Sequence, residues 1–562
     1  MKKNYALPMV LVCLFSLTCL AQTTWDGSES ANWHTAANWD TNTIPTSADN
    51  VIIANAGNAP IISSGTLAET SNLTINTGAT LTINSANSLT VSGNLIVTDA
   101  KSLILNSGSS LIVSGTSTGK LLYKRNIPVA DVWYLVTNPL IGGLTEQNDF
   151  LLNDNPNIAI SAGNSNPATG TYNYGGTAGW RYDVLDFSGG IGFATRLTST
   201  ADLQFTGTIL TDDLAKDIFG TGDGFRLHGN PYPSYLAANS NADATNNFLT
   251  YNTNAGITQD DIESATIWFW DHTLGAAGEY TTINQISDAR YIAPGQGFFV
   301  KGKSPSGGDA KVDFKENMQS HQSTDVFNKT QSNKTEIKVF ISSETYTTST
   351  EIYYIDGATT GFDNGYDSSV FGGSTASYKV YSGFVSNSQG EKLAIQSLPD
   401  TDYENMVIPI GINANSGLNI KFTTEALNLP NGINVYLEDR LKNTYVRLNE
   451  TNSNYSITLT EKTSGFGRFY LHTKSSSALS TDDIALEATN IYQLDKNSLR
   501  VTGINSDVAS IKIYSILGKQ VLDQSFSSKG NSDISLPNLN TGVYIVQIAT
   551  EKGKTNKKIV LK

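Results

Sequence analysis

The feature that most constrains the fold is a 22-residue unit that occurs twice in succession. Residues 72–93 read NLTINTGATLTINSANSLTVSG and residues 94–115 read NLIVTDAKSLILNSGSSLIVSG, with ten identical positions. A weaker copy begins 22 residues earlier, at Asn50. A fixed period of this length is typical of solenoids, in which stacked turns bury side chains that one turn could not bury alone.

Each unit contains three apolar-x-apolar triplets separated by polar residues and glycine. The triplets open at Leu73, Leu81 and Leu89, and again 22 residues later. Three short strands per turn predict a short right-handed parallel β-helix over residues 22–117. The alternative is an ordinary sheet with repetitive hairpins.

Three tryptophans precede the repeats. Trp25, Trp33 and Trp39 lie where the open end of a solenoid would expose its core to water. We expect their rings to cap that end. The alternative is a platform of exposed rings that binds sugars, because an aromatic ring offers a flat apolar face.

Residues 1–21 have the pattern of a secretory signal peptide. Lys2 and Lys3 form a basic start, residues 7–20 form a nearly uncharged apolar run, and Cys19 and Ala21 have small side chains at the −3 and −1 positions of a cleavage site. The run is shorter than the roughly 20 residues that span a bilayer. The sequence therefore predicts an exported chain without a transmembrane anchor.

Composition narrows the class of protein further. Both cysteines, Cys13 and Cys19, lie in the predicted signal peptide, so we expect neither a disulfide framework nor a thiolate metal site in the mature chain. The formal net charge is −14 and no basic stripe is present, which argues against a nucleic-acid partner. Only 16% of residues are charged. Abundant Gly, Ser, Thr and Asn favour turn-rich β-structure over helices.

Residues 118–320 contain a faint internal duplication. The matching segments are WYLVTNPL at 133–140 with FRLHGNPY at 225–232, GGIGFATR at 189–196 with GQGFFVKG at 295–302, and ADLQF at 201–205 with AKVDF at 310–314. The order is the same in both halves. We expect two related β-sandwich units that pack together, each with an Asn-Pro turn after a buried strand.

Polar linkers are predicted at 321–334 and at 474–487. Between them, short alternating segments predict an antiparallel β-sandwich over residues 335–473. Pro409 is expected at an edge or at the start of a strand, because it cannot donate to a sheet ladder. The fold class predicted for the whole chain is all-β: an N-terminal parallel β-helix, central β-sandwich domains and a C-terminal immunoglobulin-like β-sandwich.

The final domain, residues 488–562, has six or seven predicted short strands, which fit a small immunoglobulin-like sandwich. It contains the blocks IYSILGKQVL at 513–522, LNTGVYIVQI at 539–548 and KKIVLK at 557–562. These blocks resemble the type A C-terminal sorting domain of proteins exported through the type IX secretion system of Bacteroidetes. The residues that carry this sorting motif here are Gly518, Gly542, Tyr544, Lys557 and Lys558. The usual Pro-Asn-Pro opening is replaced by residues 491–495, so the motif does not define where the domain begins.

The resemblance implies a destination and partners. It implies handling by the type IX secretion machinery, passage through the periplasm and across the outer membrane, removal of the tail, and release or attachment to surface lipopolysaccharide. GNPYPS at 229–234, APGQGFFVK at 293–301 and LEDRLKNTY at 437–445 also resemble segments of large cargo proteins of that system. These segments imply no activity.

No residues form a catalytic motif that we would assign. The five histidines are scattered and no HExxH occurs. A G-x-S-x-G string occurs at 115–119, but a nucleophile elbow needs a strand before the serine and a helix after it, whereas this string ends a repeat unit and leads into another strand. Asp271 beside His272 is the first place to look for a glycosidase-like carboxylate, with a polar pair at a strand end as the alternative.

Two groups of residues are candidates for binding. Trp268 and Trp270 belong to an aromatic strand whose rings must split between two faces, so one ring can face a glycan; core packing is the alternative. Asp356, Asp363 and Asp367 lie in a glycine-containing acidic loop that suits calcium, and turn formation is the alternative. No other cofactor is expected.

The leading functional hypothesis is a noncatalytic, adhesin-like or scaffold protein, secreted or held at the outer cell surface. The alternatives are a secreted carbohydrate-active enzyme and a carbohydrate-binding protein, which rest on fold analogy. An enzyme should show converging carboxylates, a glycan binder should show coplanar exposed rings, and a scaffold should show neither.

Overall fold

The regular secondary structure, seen in a computed structural model, is almost entirely β-strand. The structure describes residues 22–141, 158–161, 180–181, 189–218, 224–253, 261–274, 278–303, 310–322, 334–371, 378–386, 390–475, 489–550 and 553–561. The predicted signal peptide and most of both predicted linkers lie outside these residues. The chain divides into two compact units, residues 1–124 with 206–211 and residues 125–205 with 212–562.

The helical elements of the described residues are short. They are the α-helix Phe248–Asn252 and the 3-10 helices Ala36–Asn38 and Glu316–Met318. The side chain of Asn247 caps the α-helix by accepting a hydrogen bond from Thr250 N. The all-β prediction is therefore confirmed.

The first unit is the parallel β-helix that the 22-residue period predicts. Its coils contribute strands to three parallel sheets. The first sheet contains Gln22–Trp25, Asn50–Ile53, Leu73–Ile75, Leu95–Val97 and Ser117–Thr118; the second contains Ile61–Ile62, Leu81–Ile83, Leu103–Leu105 and Leu121–Ile127; the third contains Ala68–Thr70, Ser88–Val91 and Ser110–Val113. Successive coils pair in register, so Leu73 lies beside Leu95 and Leu81 lies beside Leu103.

Each triplet of the repeat turns its outer residues inward and its middle residue outward. Leu103 and Leu105 are fully buried, whereas Ile104 between them is only partly buried. In the neighbouring sheet, the middle residue Ile96 is 45% exposed. Alternate side chains of a strand point to opposite faces, so the leucines stack into a ladder that fills the interior of the coil.

A ladder of asparagines closes the polar corner of the same coils. Asn72 Nδ2 donates to Asn50 Oδ1 at 2.6 Å. Asn94 N donates to Asn72 Oδ1 at 2.7 Å, and Thr116 N donates to Asn94 Oδ1 at 2.9 Å. These asparagines open successive copies of the repeat, so the hydrogen bonds fix the register at a turn that would otherwise leave amide groups unpaired.

The three upstream tryptophans pack into one another. Trp39 meets Trp25 and Trp33 edge to face, with ring centroids 5.0 Å and 4.7 Å apart. Trp25 Nε1 donates to Asn58 O, and Trp39 Nε1 donates to Trp33 O. All three rings are buried. They occupy the positions expected of a cap and offer no exposed platform for sugars.

The duplicated segments of the second unit form equivalent strand pairs. The antiparallel pairs are Tyr134–Thr137 with Gly192–Thr195, and Phe225–Gly229 with Gly297–Lys301. These pairings make Gly190 of the first copy equivalent to Gly295 of the second. The sequence match of GGIGFATR with GQGFFVKG aligned Gly189 with Gly295, so that alignment is wrong by one residue. Each copy ends its first strand in the same turn: Leu140 N donates to Asn138 Oδ1, and Tyr232 N donates to Asn230 Oδ1, both at 3.0 Å.

The two copies contact each other reciprocally. Val136 bridges to Gln296, and His228, the equivalent of Val136, bridges to Ile191, the equivalent of Gln296. Such exchange of equivalent partners is the pattern of an isologous interface, in which one surface binds a second copy of itself.

Backbone hydrogen bonds follow the same exchange. Thr137 N donates to Gly295 O at 3.0 Å, and Gly229 N donates to Gly190 O at 3.2 Å. A Cβ on Gly229 would lie 2.4 Å from the Thr137 side chain. Glycine at this position therefore lets the two copies approach closely.

The other strands of the central region complete four small sheets. Ile158–Ser161 and Trp180–Arg181 extend the sheet of the first copy, and Thr266–Asp271 and Glu279–Asn284 extend the sheet of the second. In the third sheet Leu214–Asp217 pairs with Lys311–Phe314, and in the fourth Tyr235–Ala237 lies between Tyr291–Ile292 and Gln319–Ser320. The remaining strand of the region is Ala201–Gly207. An aromatic core lies on one face of the second copy, where Phe298, Phe314 and Phe248 meet.

Residues 334–475 form the sandwich that alternation predicts, from one eleven-stranded sheet. Its strands in spatial order are Thr444–Arg447, Ile433–Asp439, Thr463–Ser475, Val407–Ala414, Lys379–Ser382, Leu393–Pro399, Thr347–Ile355, Thr335–Ser342, Asn419–Leu427 and Tyr455–Thr458, with Ser368–Ser369 beside Leu393–Pro399. Its core contains buried Ile337, Ile352, Ile410 and Phe469.

One pair of these strands is parallel, where we expected an antiparallel arrangement throughout. Thr347–Ile355 runs parallel to Leu393–Pro399. Parallel neighbours need a long connection to bring the chain back to the same end of the sheet. That connection contains the acidic loop with Asp356, Asp363 and Asp367.

Pro409 does not lie at an edge or a strand start, as we expected. It is the third residue of Val407–Ala414, which has neighbours on both sides. Pro409 O accepts from Gly383 N, just beyond the end of Lys379–Ser382. The N and O of one strand residue point to the same side, so the missing N–H faces the side on which the neighbouring strand has ended.

The C-terminal domain contains fewer and longer strands than predicted. In its described part these are Asn490–Asp495, Ser498–Ser515, Gln520–Ser535, Gly542–Thr550 and Gly553–Leu561. Two of them each join a pair of predicted strands, because bulges at Thr502/Ile504 and Ser506/Ala509 bend the ladder without ending it. The strands enclose their own core, which includes Leu499, Ile511 and Val546, in agreement with the immunoglobulin-like prediction.

Replacing Leu103 by alanine should lower the free energy of unfolding of the β-helix by about 2–5 kcal/mol, because a fully buried side chain leaves a cavity in the ladder. Ile104→Ala is the matched control on the same strand and should cost about 1 kcal/mol or less. Urea denaturation of both variants measures the difference. Equal losses would mean that the repeat does not bury its leucines.

Candidate functional site

The acidic loop uses its carboxylates to hold the backbone. Asp363 accepts hydrogen bonds from Thr359 N and Thr359 Oγ1. Asp367 Oδ2 accepts from Asp363 N, and Asp367 Oδ1 accepts from Ser397 N, both at 2.6 Å. Asp356 is exposed. The loop therefore has the hydrogen bonding of a turn, and the calcium site at these three residues stays a prediction.

Asp367 is the most perturbed of these carboxylates. Its side chain is fully buried, and burial raises its pKa to about 7 although two backbone amides donate to it. Among the described residues, no group of three or more His, Cys, Asp or Glu side chains is arranged to hold a metal ion. The Asp367 carboxylate therefore links the loop to the strand Leu393–Pro399 through hydrogen bonds to Asp363 N and Ser397 N, and it is a titratable group.

Trp268 and Trp270 lie on one face of the strand Thr266–Asp271, and Phe269 lies on the other. Trp268 is 1% exposed, and its Nε1 donates to Ser369 O at 3.1 Å. Its ring meets Phe225 edge to face at 5.1 Å. Trp268 is therefore packed in the core, and its role in glycan binding stays a prediction.

Trp270 lies at the rim of that core and is half-buried. It contacts Tyr280 at 5.0 Å, and Tyr280 stacks on Phe371 at 3.8 Å with an interplanar angle of 27°. Trp133 packs against the same cluster and has the Arg196 guanidinium 5.5 Å from its ring centroid. Partly buried aromatic rings thus border this face of the second copy. The contributions of Trp133 and Phe371 were not predicted, because both residues are distant from Trp270 along the chain.

The other candidates for chemistry are tied to nearby groups. Asp271 Oδ1 accepts hydrogen bonds from Thr273 N and Thr273 Oγ1, and the His272 ring lies 4.9 Å from that of Tyr134. Ser117, in the G-x-S-x-G string, lies in a parallel strand of the β-helix rather than on an elbow before a helix. Asp271 thus holds a turn, His272 makes a ring contact and Ser117 is part of a sheet.

The sorting-motif residues of the tail, residues 490–562, lie towards one end of its sheet, where Ser515 is in register with Tyr544 and Gly542 with Leu561. Gly518 has φ +82° and closes the hairpin between the two long strands, where its N–H donates to Ser515 O at 2.8 Å. Beside it, Ile516 and Leu517 are 72% and 93% exposed. Glycine relieves the strain of this left-handed conformation, and the hairpin places two apolar side chains in water.

The other motif residues lie on the last two strands. Gly542 begins its strand, and buried Tyr544 donates its hydroxyl to Asn540 O at 2.9 Å. A tyrosine hydroxyl that bonds the backbone a few residues upstream also characterises the corners of immunoglobulin-like domains. Lys557 is half-buried, and burial lowers its pKa, while Lys558 is exposed on the opposite face.

Residues 24–472 match the family described as Domain of unknown function (DUF8693). The chain belongs to this family. The DUF8693 match extends from the tryptophan cap into the last strand of the sandwich, Thr463–Ser475, so the β-helix, the duplicated region and the sandwich lie within one family.

Residues 490–562 match the secretion system C-terminal sorting domain. The resemblance seen in the three sequence blocks is thereby confirmed. The DUF8693 chain is a cargo protein of the type IX secretion system, marked for export and for secretion or attachment at the cell surface. No described helix is long and apolar enough to cross a membrane.

Similarities to solved structures are weak. A biofilm-associated protein BSP domain is 9% identical over 62% of this chain and 63% of its own length, with a TM-score of 0.16. The adhesin domain of Epf from Streptococcus pyogenes is 8% identical over 40% and 91%, with a TM-score of 0.11. The 47-kilodalton lipoprotein Tp47 of Treponema pallidum is 9% identical over 62% and 91%, also at 0.11. No curated protein matches the chain.

Asp367→Asn should remove part of the pH dependence of stability. A group whose pKa is raised on folding stabilises the native state fully below its unfolded pKa of 3.8, and that stability is lost as pH rises towards the folded pKa of about 7. Wild-type stability should therefore fall across this window by up to about 1.4 kcal/mol per pH unit relative to the variant.

Urea denaturation at several pH values between 4 and 7 measures this slope. Asp356→Asn, which changes an exposed carboxylate next to the same loop, is the matched control and should keep the wild-type slope. Identical slopes for wild type and Asp367→Asn would show that Asp367 does not take up a proton on folding.

Proposed function

We propose that this type IX cargo acts outside the cell as a noncatalytic, adhesin-like or scaffold protein. The observation that carries the proposal is the use of its polar side chains. Asp363 and Asp367 hold a turn, Asp271 holds another, and His228 is fully buried between the duplicated strands. Polar side chains that are buried or hydrogen-bonded to their own loops stabilise the fold and do not converge on a substrate.

The outer faces of the β-helix supply a suitable contact surface. Ile52, Thr74, Ile96 and Thr118 follow one another in register across one sheet. Strands of a sheet are about 4.8 Å apart, so equivalent side chains recur at that interval along the coil. A regular row of small polar and branched apolar groups fits an extended, repetitive partner such as a surface glycan or lipopolysaccharide.

A second candidate function, carbohydrate binding, is favoured by the aromatic rim around Trp270. Its half-buried rings include Trp133, Tyr280 and Phe371, with Arg196 beside Trp133. Aromatic faces pack on the apolar faces of sugars, and a neighbouring guanidinium can bond hydroxyl groups. This site would give the scaffold a glycan ligand without requiring catalysis.

Deleting residues 490–562 should prevent delivery, because the described body is then without its sorting domain. We expect the truncated chain to accumulate in the periplasm when fractions of expressing cells are compared by immunoblot and surface protease digestion. Full-length Ile104→Ala, altered in the β-helix alone, should be delivered like the wild type. Surface display of the truncated chain would contradict the role of the tail.

Incubation with a panel of insoluble polysaccharides and lipopolysaccharide, scoring retention and soluble product separately, tests the function of the body. We expect retention without product, unchanged in Asp271→Asn. Trp270→Ala should weaken glycan retention at least several-fold if the aromatic rim binds the glycan, and Trp270→Phe should preserve most of it. Product that disappears in Asp271→Asn would replace the adhesin proposal with an enzyme.

A further inference from the structure

A buried cluster of charges lies at the end of the sandwich strand Ile433–Asp439. Glu438, Asp439 and Arg440 are 6%, 1% and 6% exposed. Removing a charge from water is costly unless partners replace the lost hydration. These residues belong to the segment LEDRLKNTY at 437–445, which has no part in the proposed function.

The two carboxylates have partners within the sandwich. Glu438 lies 3.1 Å from Arg440 Nε and 2.9 Å from His472 Nε2. Asp439 Oδ2 accepts from Arg468 Nη2 at 2.8 Å and from the Tyr455 hydroxyl at 2.7 Å.

These bonds fix the backbone around Arg440, whose N–H donates to Arg468 O at 2.9 Å. The Arg440 side chain is thus held in one direction by groups of the sandwich itself.

Arg440 points its guanidinium at the tail. Its Cζ lies 3.8 Å from the centroid of the Tyr470 ring, and its Nη1 donates to Gly503 O. Gly503 has φ +86° and lies at the bulge between Thr502 and Ile504, where the ladder skips a residue. A bulged residue is left out of the strand pairing, so its carbonyl is available to a partner outside the tail's own sheet.

The surface around this bond is closely fitted. A Cβ on Gly467 of the sandwich would lie 1.8 Å from Asn531 Oδ1 and 2.6 Å from Gly530 O of the tail. A Cβ on Gly390 would lie 2.7 Å from the Tyr492 ring. Glycine at both positions therefore allows the tail to approach the sandwich closely, at Asn531 and at Tyr492.

We propose that the surface formed by Arg440, Tyr470, Gly467 and Gly390 is a dock for the sorting domain, and that Arg440 engages the bulge carbonyl of Gly503. The sandwich and the tail then form one clamped pair in the full chain. The ion pairs of Glu438 and Asp439 position the dock. The partner is this chain's own tail, whose Tyr492, Gly503 and Asn531 supply the complementary surface.

Hydrogen exchange of the full chain, followed by mass spectrometry, tests the dock from both sides. Arg440→Gln should raise exchange in tail residues 498–504 and 528–533 about tenfold or more, while Val407–Ala414 in the sandwich core keeps its protection. Arg447→Gln is the matched control, because Arg447 pairs with exposed Glu450 on the same sandwich. It should leave exchange in the tail unchanged.

Tyr492→Ala changes only the tail and should raise exchange in sandwich residues 437–441 and 467–470, since coupling between two sites acts in both directions. Unchanged tail exchange in Arg440→Gln would overturn the proposal. Loss of protection in Val407–Ala414 as well would assign Arg440 to folding of the sandwich and would also overturn it. Failure of the dock would leave delivery by the tail intact, so the two conclusions are tested separately.

Discussion

The structure depends on short strands that bury one face and leave the other to water. In the β-helix the buried face meets the interior of the coil, where Leu81 and Leu103 stack. In the sandwich and the tail the buried faces meet a second layer of the same sheet, as at Ile410 and Ile511. The described residues contain no cysteine, so this burial of apolar area stabilises them without disulfides.

Local patterns predicted the elements well where all partners are close in sequence. The 22-residue period specified which leucines stack, because each coil pairs only with its neighbours. The Asn-Pro segments were correctly placed after strands, although the match around Gly190 was one residue out of step. Pairings across long connections were less accessible. Alternation alone gives neither the direction of a neighbouring strand, as in the parallel pair at Thr347–Ile355, nor the continuity of a strand through the bulge at Gly503.

The candidate sites show the same limit more strongly. Residue type nominated Trp268, but its neighbours Phe225 and Ser369 come from distant segments and bury it. The acidic loop was recognised from the sequence. The hydrogen bond from Ser397 N to the Asp367 carboxylate was not, because Ser397 belongs to a strand outside the loop. Arg440 lay in a segment that the sequence had singled out, but its role became visible only with Gly503 in place. Burial and partner identity are tertiary properties, and composition does not encode them.

The reciprocal contacts of the duplicated region have a further implication for its origin. An arrangement in which Val136 meets Gln296 while His228 meets Ile191 is what two identical chains form around a two-fold axis. Once both copies are joined in one polypeptide, association no longer depends on concentration, and the sequences are free to diverge. Gly229 stands where the other copy has Thr137, and His228 stands where it has Val136, so the two halves share a two-fold backbone arrangement although their side chains differ.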